Sequence, residues 1–557
     1  MTAAGAQVWR RRFPEACRWD EPLEITTVPE LLRRGAARDP DAPAIEFRGR
    51  TLTYRGFSDA VDRLAAGLLA QGIGPGSTVA LYLPNTPDHP VAFFAALRAG
   101  ARVVHVGALD APREVAYKLA DSGARVLVTT DLAPLLPTAL ALLEGGHLDR
   151  VLVGGDRRWG GDDAPAVPWG ERVLPLHDLV AAPPAAWPAP SPDDVALLQY
   201  TGGTTGTPKA ALLTHANLSA AVSMYRAWRD GAASVPGTGR VIAVLPLFHI
   251  FALTAILLRN LRDGNALLLR ARFDPGAVLD DIEAGRATSF SGVPTMWFAL
   301  LNHPGFAERD LSSLTSCVSG GAPMPFEVEQ RLERILRLRL TSGWGMTETA
   351  PAGSRVPRGA TPRPGLIGVP LPGIDMRVVS LDDPAQELHP GEVGEIAIRG
   401  PNVFKGYWNR PDETEQAFAD GYFLTGDIGR MDRDGLFDLV DRRKNMIISS
   451  GFNVYPVTVE GAIYEHPDVE EAAVIGVPDP YRGQAAKAFV KLRDGAPPLT
   501  LDALRAFLGD RLGRHEMPAA LEIRPALPRS AAGKLLTRVL VEEERARAAT
   551  PNPERPA

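Results

Sequence analysis

The segment "LLQYTGGTTGTPKAALLTHANL", Leu197 to Leu218, sets glycines, threonines and a Pro-Lys pair directly after an apolar strand. Thr201, Gly202, Gly203, Thr204 and Thr205 offer hydroxyls and open backbone N–H groups, and Lys209 adds a positive charge at the far end. Successive N–H groups in a glycine-rich turn form an anion nest, and glycine lets a ligand approach the backbone closely. That composition suits a cradle for phosphate. It suits a slack surface turn equally well, so the rest of the chain has to decide.

Several competing chemistries are missing. A Walker loop needs Gly-Lys followed by Ser or Thr, whereas Pro208 precedes Lys209 and Leu535 follows Gly533-Lys534. No Gly-x-Ser-x-Gly elbow occurs, so a hydrolase of that design has no nucleophile. "HEMP" at His515 is not a His-Glu-x-x-His zinc helix, and "GWGMTE" carries Glu348 where a dinucleotide fingerprint needs its last glycine.

A different set of motifs is present. "YTGGTTGTPKA", "GWGMTET", "YFLTGD", "DRRKNMIISSGFNVYP" and "LPRSAAGK" follow one another in that order, widely separated. Together they resemble the adenylate-forming superfamily of acyl-CoA synthetases, peptide-synthetase adenylation domains and luciferases, from about Ile25 to Leu540. The run "GYFLTGDIGRMDRDGLFDLVDRRKNMIISSGFNVYP" most resembles fatty-acyl-CoA and coumarate–CoA ligases.

The resemblance implies a reaction in two halves. A carboxylic acid and ATP give an acyl-adenylate and pyrophosphate, and the thiol of CoA then displaces AMP. A carboxylate is a poor electrophile with an oxide leaving group, and adenylation supplies a better one. Two anions must be held together, which calls for cations and N–H donors. By the same resemblance, the Thr201–Thr205 loop and Lys209 wrap the outer phosphates, and Glu348 is the ligand of Mg²⁺. Thr347 contacts the α-phosphate, Trp344 stacks on adenine, and Gly321 belongs to a backbone segment lining the adenine and acyl sites. Asp427 accepts the ribose hydroxyls beside Arg442. Lys444 falls at a hinge, Lys534 binds the acyl carboxylate and α-phosphate, and His249 lies beside that carboxylate. After a rotation of the C-terminal domain, the face carrying Gly451, Phe452 and Asn453 lines the CoA tunnel. Without the resemblance, Glu348, Lys444 and Lys534 would read as solvated surface charges, and Trp344 and His249 as core.

The chain departs from plant coumarate ligases at Phe251, Ile448, Ser450 and Asn453, which points away from coumarate itself. The segments assigned to the acyl pocket are "FHIFAL", "SGVPTMWFALL", "SGGAP" and "SGWGM", the last supplying Ser342 and Gly343, and none holds Lys or Arg. An unpaired buried carboxylate is costly, whereas each buried methylene gains about 0.8 kcal/mol. Straight-chain monocarboxylates of medium to long length are therefore the expected acids. Aryl or dicarboxylate ligases of the same fold, a carrier-loading adenylation enzyme and a non-catalytic nucleotide-binding relative are the alternatives. No carrier-like module follows, and Lys209, Glu348 and Lys534 are intact.

These residues need a scaffold of more than one core, because 557 residues exceed a single ordinary domain. "AIEFRGRTLTY" predicts a β-hairpin, and "SDAVDRLAAGLLAQG" a helix. The alternation of "TVALYLPN", "PVAFFAALRAG", "ARVVHVG", "REVAYKLADSG" and "RVLVTT" predicts an α/β fold with parallel strands. Gly160 to Asp194, rich in Pro, Ala and Asp, reads as a surface connection. The expected architecture is a large N-terminal domain, residues 1–440, with mixed and parallel sheets flanked by helices. A small mobile α+β domain, residues 441–557, follows, with "AAVIGVPD", "AKAFVKLRDG" and "TLDALRAFLGDRL" forming a βαβ-like unit.

A net charge of −6 leaves no basic surface for nucleic acid. The N-terminus lacks an apolar signal region, and the two cysteines, Cys17 and Cys317, suit a reducing cytoplasm. "VIAVLPLFHIFALTAILL", Val241 to Leu258, is an uncharged run near spanning length. Pro246 and His249 break it, so it reads as a strand, a turn and a buried helix.

Overall fold

The computed structural model describes residues 8–133, 135–161, 165–201, 208–230, 235–321, 324, 326–449, 452–479, 482–509, 511–513, 516–529 and 535–549. Among these, three sheets carry the fold. The hairpin predicted near the N-terminus forms from Pro43–Phe47 and Arg50–Thr53. The helix after it begins at Tyr54, ahead of Ser58, because the Thr53 hydroxyl accepts from the Gly56 N–H at 3.1 Å and caps it there.

The strand–helix alternation builds a seven-stranded sheet. Thr78–Leu81 lies between Arg102–His105 and Val126–Thr130, all parallel. Beyond Arg102–His105 comes Val195–Thr201, and antiparallel to that lies Lys209–Thr214. The phosphate-loop motif thus spans from the end of one of these antiparallel strands to the start of the other, at Thr201 and Lys209, and Gly202, Gly203, Thr204 and Thr205 lie outside the described residues. The Pro-rich connection does more than cross the surface. Its Val173–Pro175 segment adds a short parallel edge strand beside Arg150–Gly154, a place where proline is tolerated.

A fourteen-stranded sheet forms the rest of the large domain. Its parallel part runs Pro43–Phe47, Ala266–Leu269, Arg240–Ala243, Ser289–Gly292, Ser316–Ser319 and Leu340–Trp344. At Ser354–Arg355 it turns antiparallel and continues to the paired strands Tyr422–Met431 and Phe437–Arg442. "VIAVLPLFHIFALTAILL" resolves into the strand Arg240–Ala243, a turn and a buried helix. Its Ala252–Leu258 portion is a π-helix, a wide turn that apolar composition does not announce. No described helix is long and apolar enough to cross a membrane.

A smaller C-terminal sheet begins at Ile447. Val469–Asp479 and Gly483–Leu492 pair antiparallel, and the helix Leu501–Leu508 carries the chain back to Ala520–Ile523, parallel to the second. The two expected strands and the helix are present, but the strands pair antiparallel; the βαβ crossover is made by Gly483–Leu492, the helix and Ala520–Ile523, a strand the sequence reading did not include.

Candidate active site

In open α/β sheets ligands gather beyond the carboxyl ends of parallel strands. Four such ends converge here, leading into Leu245–His249, Val293, Gly320–Gly321 and Gly345–Glu348. The approach is close. A Cβ at Gly345 would overlap the Pro351 carbonyl oxygen, and a Cβ at Gly353 would press into the Trp344 ring. Gly321 sits at φ +81°, in the left-handed region open to glycine.

Glu348 lies in the single 3₁₀ turn Thr347–Thr349 and is buried. Its Oε1 accepts from the Tyr407 hydroxyl at 2.9 Å, and its backbone oxygen accepts from the Phe404 N–H at 2.8 Å. Burial raises the carboxyl pKa, opposed by the Tyr407 hydrogen bond and the charge of Arg442. Tyr407 also receives the Lys209 ammonium over its ring, 5.4 Å from the centroid. Lys209 meanwhile forms an ion pair with Glu413. One aromatic ring thereby joins the end of the phosphate hairpin to the buried carboxylate. The strip around Tyr407 lies against the hairpin strand: Leu212 donates to Gly406 O at 2.9 Å and Trp408 to Ala210 O at 2.9 Å.

Asp427 and Arg442 face each other across adjacent strands. Asp427 is buried and its Oδ2 accepts from Trp344 Nε1 at 2.7 Å. The Arg442 Nε lies 3.0 Å from Oδ1 but off the hydrogen-bonding direction, so Oδ1 is a buried acceptor without an aligned donor. Trp344 is itself mostly buried, so it offers only a narrow surface to a ligand. One residue earlier on the strand, Asp441 points the other way. Its Oδ2 accepts from the Val457 N–H at 2.9 Å and caps the C-terminal-domain helix Pro456–Tyr464.

His249 is exposed, so a core histidine it is not. The turn that carries it is pinned from the other sheet. Asn85 donates to Leu245 O and accepts from the Leu247 N–H, both at 2.9 Å, while Gln199 Nε2 donates to Phe248 O at 3.0 Å. Gln199 Oε1 in turn meets His105 Nδ1 at 3.1 Å.

Of the expected site residues, the structure brings together Glu348, Lys209, Trp344, Asp427 and Arg442. Thr347 and Ser342 are half-buried beside them, and Thr201 ends its strand. Lys444 lies in the 3₁₀ turn Arg443–Asn445, and Phe452 and Asn453 in the strand Phe452–Val454. Gly451 and Lys534 lie outside the described residues. Tyr407, Asn85 and Gln199 were not anticipated; their roles come from contacts far away in sequence. Among the described residues, no cluster of three or more His, Cys, Asp or Glu forms a cation cage.

The sequence matches the pattern of AMP-binding enzymes over residues 32–408, and that of their C-terminal domain over residues 458–534. The chain belongs to the AMP-binding enzyme family. Its relatives place it in the acyl-CoA synthetase branch. A long-chain-fatty-acid–CoA ligase of Bacillus subtilis (strain 168) is 37% identical over 560 residues, covering 96% of this chain and 98% of that protein. A feruloyl-CoA synthase of an Amycolatopsis species is 40% identical over 505 residues, covering 90% and 96%. The crystal structure of ATP-bound MatB from Rhodopseudomonas palustris superposes with a TM-score of 0.83 at 29% identity, covering 93% and 99%.

Proposed function

We propose that this AMP-binding enzyme is an acyl-CoA ligase that activates an aliphatic carboxylic acid of medium to long chain length. The observation that carries the reading is the junction of Lys209, Tyr407, Glu348, Asp427 and Arg442 at the strand ends. It sets cations for phosphate beside a buried acceptor for a hydroxyl. The long-chain-fatty-acid name of the Bacillus subtilis relative supports the aliphatic acid.

In this reading the Thr201–Thr205 loop and Lys209 hold the outer phosphates of ATP. The Asp427 Oδ1, which lacks an aligned donor, accepts a ribose hydroxyl, with Arg442 beside it and the narrow surface of Trp344 against adenine. Glu348, oriented by Tyr407, would hold Mg²⁺. A lone carboxylate fits that ion, which takes the rest of its oxygens from phosphate and water. When bound, Mg²⁺ draws charge from the phosphate oxygens. A carboxylate oxygen of the acid attacks the α-phosphorus, and pyrophosphate leaves. Thr347 and Lys534 stabilise the charge on the α-phosphoryl group, and His249 borders the acid. The thiolate of CoA then attacks the acyl carbon and AMP leaves. For that half-reaction residues 441–557 turn as a domain about Lys444, bringing Gly451, Phe452 and Asn453 to the CoA tunnel. We place the reaction in the cytoplasm, a reading supported by two buried cysteines that are both free.

Pyrophosphate release across a panel of carboxylic acids, with and without CoA, tests the proposal. Acid-dependent release, with acyl-CoA formed only when CoA is present, is the expected result. Release that ignores the acid refutes it.

A further inference from the structure

The helix that follows His249 is buried nearly all round, with one exception. From Ile250 to Asn260 only Phe251, Ala255 and Arg259 keep partial solvent access. They recur every fourth residue and so line one face. Phe251 opens that row against the glycine segment, since a Cβ at Gly320 would lie 3.0 Å from its ring. Arg259 closes the row. Close to it, Arg355 pairs with Gly343 across adjacent strands, and its Nη2 donates to Thr341 Oγ1 at 3.1 Å. Tyr225 stands by both arginines and, like them, keeps partial access.

Neither guanidinium has a carboxylate partner among the described residues. Arg259 Nε is buried without a hydrogen-bond acceptor. The nearby acids are committed elsewhere: Asp263 to Arg226 at 2.6 Å, and Asp230 to the Arg358 N–H at 2.6 Å. Arg226 and Arg358 add further positive charge. Burial pushes the Arg355 guanidinium down to about 10 and lowers Arg259 as well, each also repelled by another arginine. The Tyr225 phenol is pushed up to about 12 by burial and stays a neutral donor. A largely buried guanidinium with no carboxylate in contact is costly, and its planar fork is shaped to receive a carboxylate on two N–H groups.

Arg259 lies ten residues after His249 in the sequence, roughly 10–15 Å along the helix once its side chain leans back toward the N-terminus. That span fits an acid of about eight to twelve carbons at roughly 1.3 Å of advance per bond. These two cations come from outside the segments from which a pocket free of Lys and Arg was expected. We propose that Arg259 and Arg355 close the far end of the acyl site and select acids carrying a second carboxylate there, medium-length α,ω-dicarboxylic acids. The inference rests on the ligase reading above and names its substrate class.

The test compares kcat/KM for acyl-CoA formation with straight-chain monocarboxylic acids, dicarboxylic acids of equal length, and the monomethyl esters of the latter. The wild-type protein should favour the diacid at least tenfold over both, a comparison that requires no variant to fold. Arg259→Leu, and separately Arg355→Leu, should lower the diacid-to-monoacid ratio at least tenfold, with Arg259→Lys retaining part of it. A wild-type preference for the monoacid overturns the inference and leaves the ligase reading standing. So does a ratio unmoved in an Arg259→Leu protein that still makes acyl-CoA. Failure of every acid to release pyrophosphate overturns the ligase reading, and this inference with it.

Discussion

Replacing Asn85 by alanine removes two hydrogen bonds at once from the turn that presents His249. Its amide donates to Leu245 O and accepts from the Leu247 N–H, each at 2.9 Å, and Asn85 is 3% exposed. Water therefore has no easy route to replace either bond. Each stranded backbone group costs about 1–3 kcal/mol, so opening of the turn should become easier by about 2–6 kcal/mol. At about 1.4 kcal/mol per factor of ten, that is roughly 30- to 20,000-fold in the local opening constant. Amide hydrogen exchange followed by mass spectrometry on peptides spanning residues 244–252 reads this directly. Protection there should fall by that factor, while the strands of the C-terminal sheet stay as protected as before. Because the proposed acid site lies beside this turn, KM for the carboxylic acid should rise more than KM for ATP. Exchange changed by less than threefold would refute the energetic argument. Faster exchange with both Michaelis constants unmoved would refute the link from this turn to the acid.

Tyr407→Phe keeps the ring beneath Lys209 but deletes the 2.9 Å bond to Glu348. A lost bond to a charged group is worth about 1.5–3 kcal/mol, so kcat/KM for adenylation should fall roughly 10- to 150-fold in a pyrophosphate-release assay. Lys534→Ala should cost adenylation on the order of 10²–10³, while CoA transfer from supplied acyl-adenylate survives. Equal losses in both halves would remove Lys534 from its role. His215 accepts from the Val28 N–H through Nδ1, and burial drops its pKa to about 4. Between the unfolded value of about 6.5 and 4 the unfolded chain binds a proton that the native state refuses. Stability therefore rises with pH across that window and is lost on acidification, by about 3 kcal/mol for this group. Urea unfolding at pH 4.5 and 7 should show a smaller difference in His215→Asn than in the wild type, and equal differences would contradict the assignment.

The elements that hold the site were legible because local chemistry wrote them. Alternating runs such as "ARVVHVG" and "RVLVTT" fall on the parallel strands Arg102–His105 and Val126–Thr130. The motif residues Trp344, Glu348, Asp427 and Arg442 meet because the end of Leu340–Trp344 comes against the middle of Tyr422–Met431, where Asp427 pairs with Arg442. What stayed hidden depends on distant partners. Asn85 looks like a strand-end turn residue until Leu245 and Leu247 arrive from 160 and 162 positions away. Tyr407 reads as a loop aromatic until it reaches Glu348, 59 positions back. The edge strand Val173–Pro175 is too short, and too close to prolines, for a period-two pattern to stand out. Arg259 and Arg355 were missed for another reason. Charged residues in or near apolar runs read as ends of elements, and only the fold turns both inward.

The π-helix at Ala252–Leu258 separates what the helix after His249 is made of from how it is registered. A π turn amounts to one residue inserted into an α-helix. Removing a single residue there would let the segment relax to α geometry while the flanking turns keep their facing, because the wide turn is what absorbs the extra residue. Phe251 would keep its place near Gly320 and Arg259 its place at the end of the row, but the residues of the turn between them, Ala255 among them, would be re-registered. Chain length would then act as an inherited variable in its own right. Two descendants of one gene, alike at both ends of this row, would differ in the face between those ends through a three-nucleotide deletion. In designing or dating such a divergence, gaps in this helix carry information that substitutions do not.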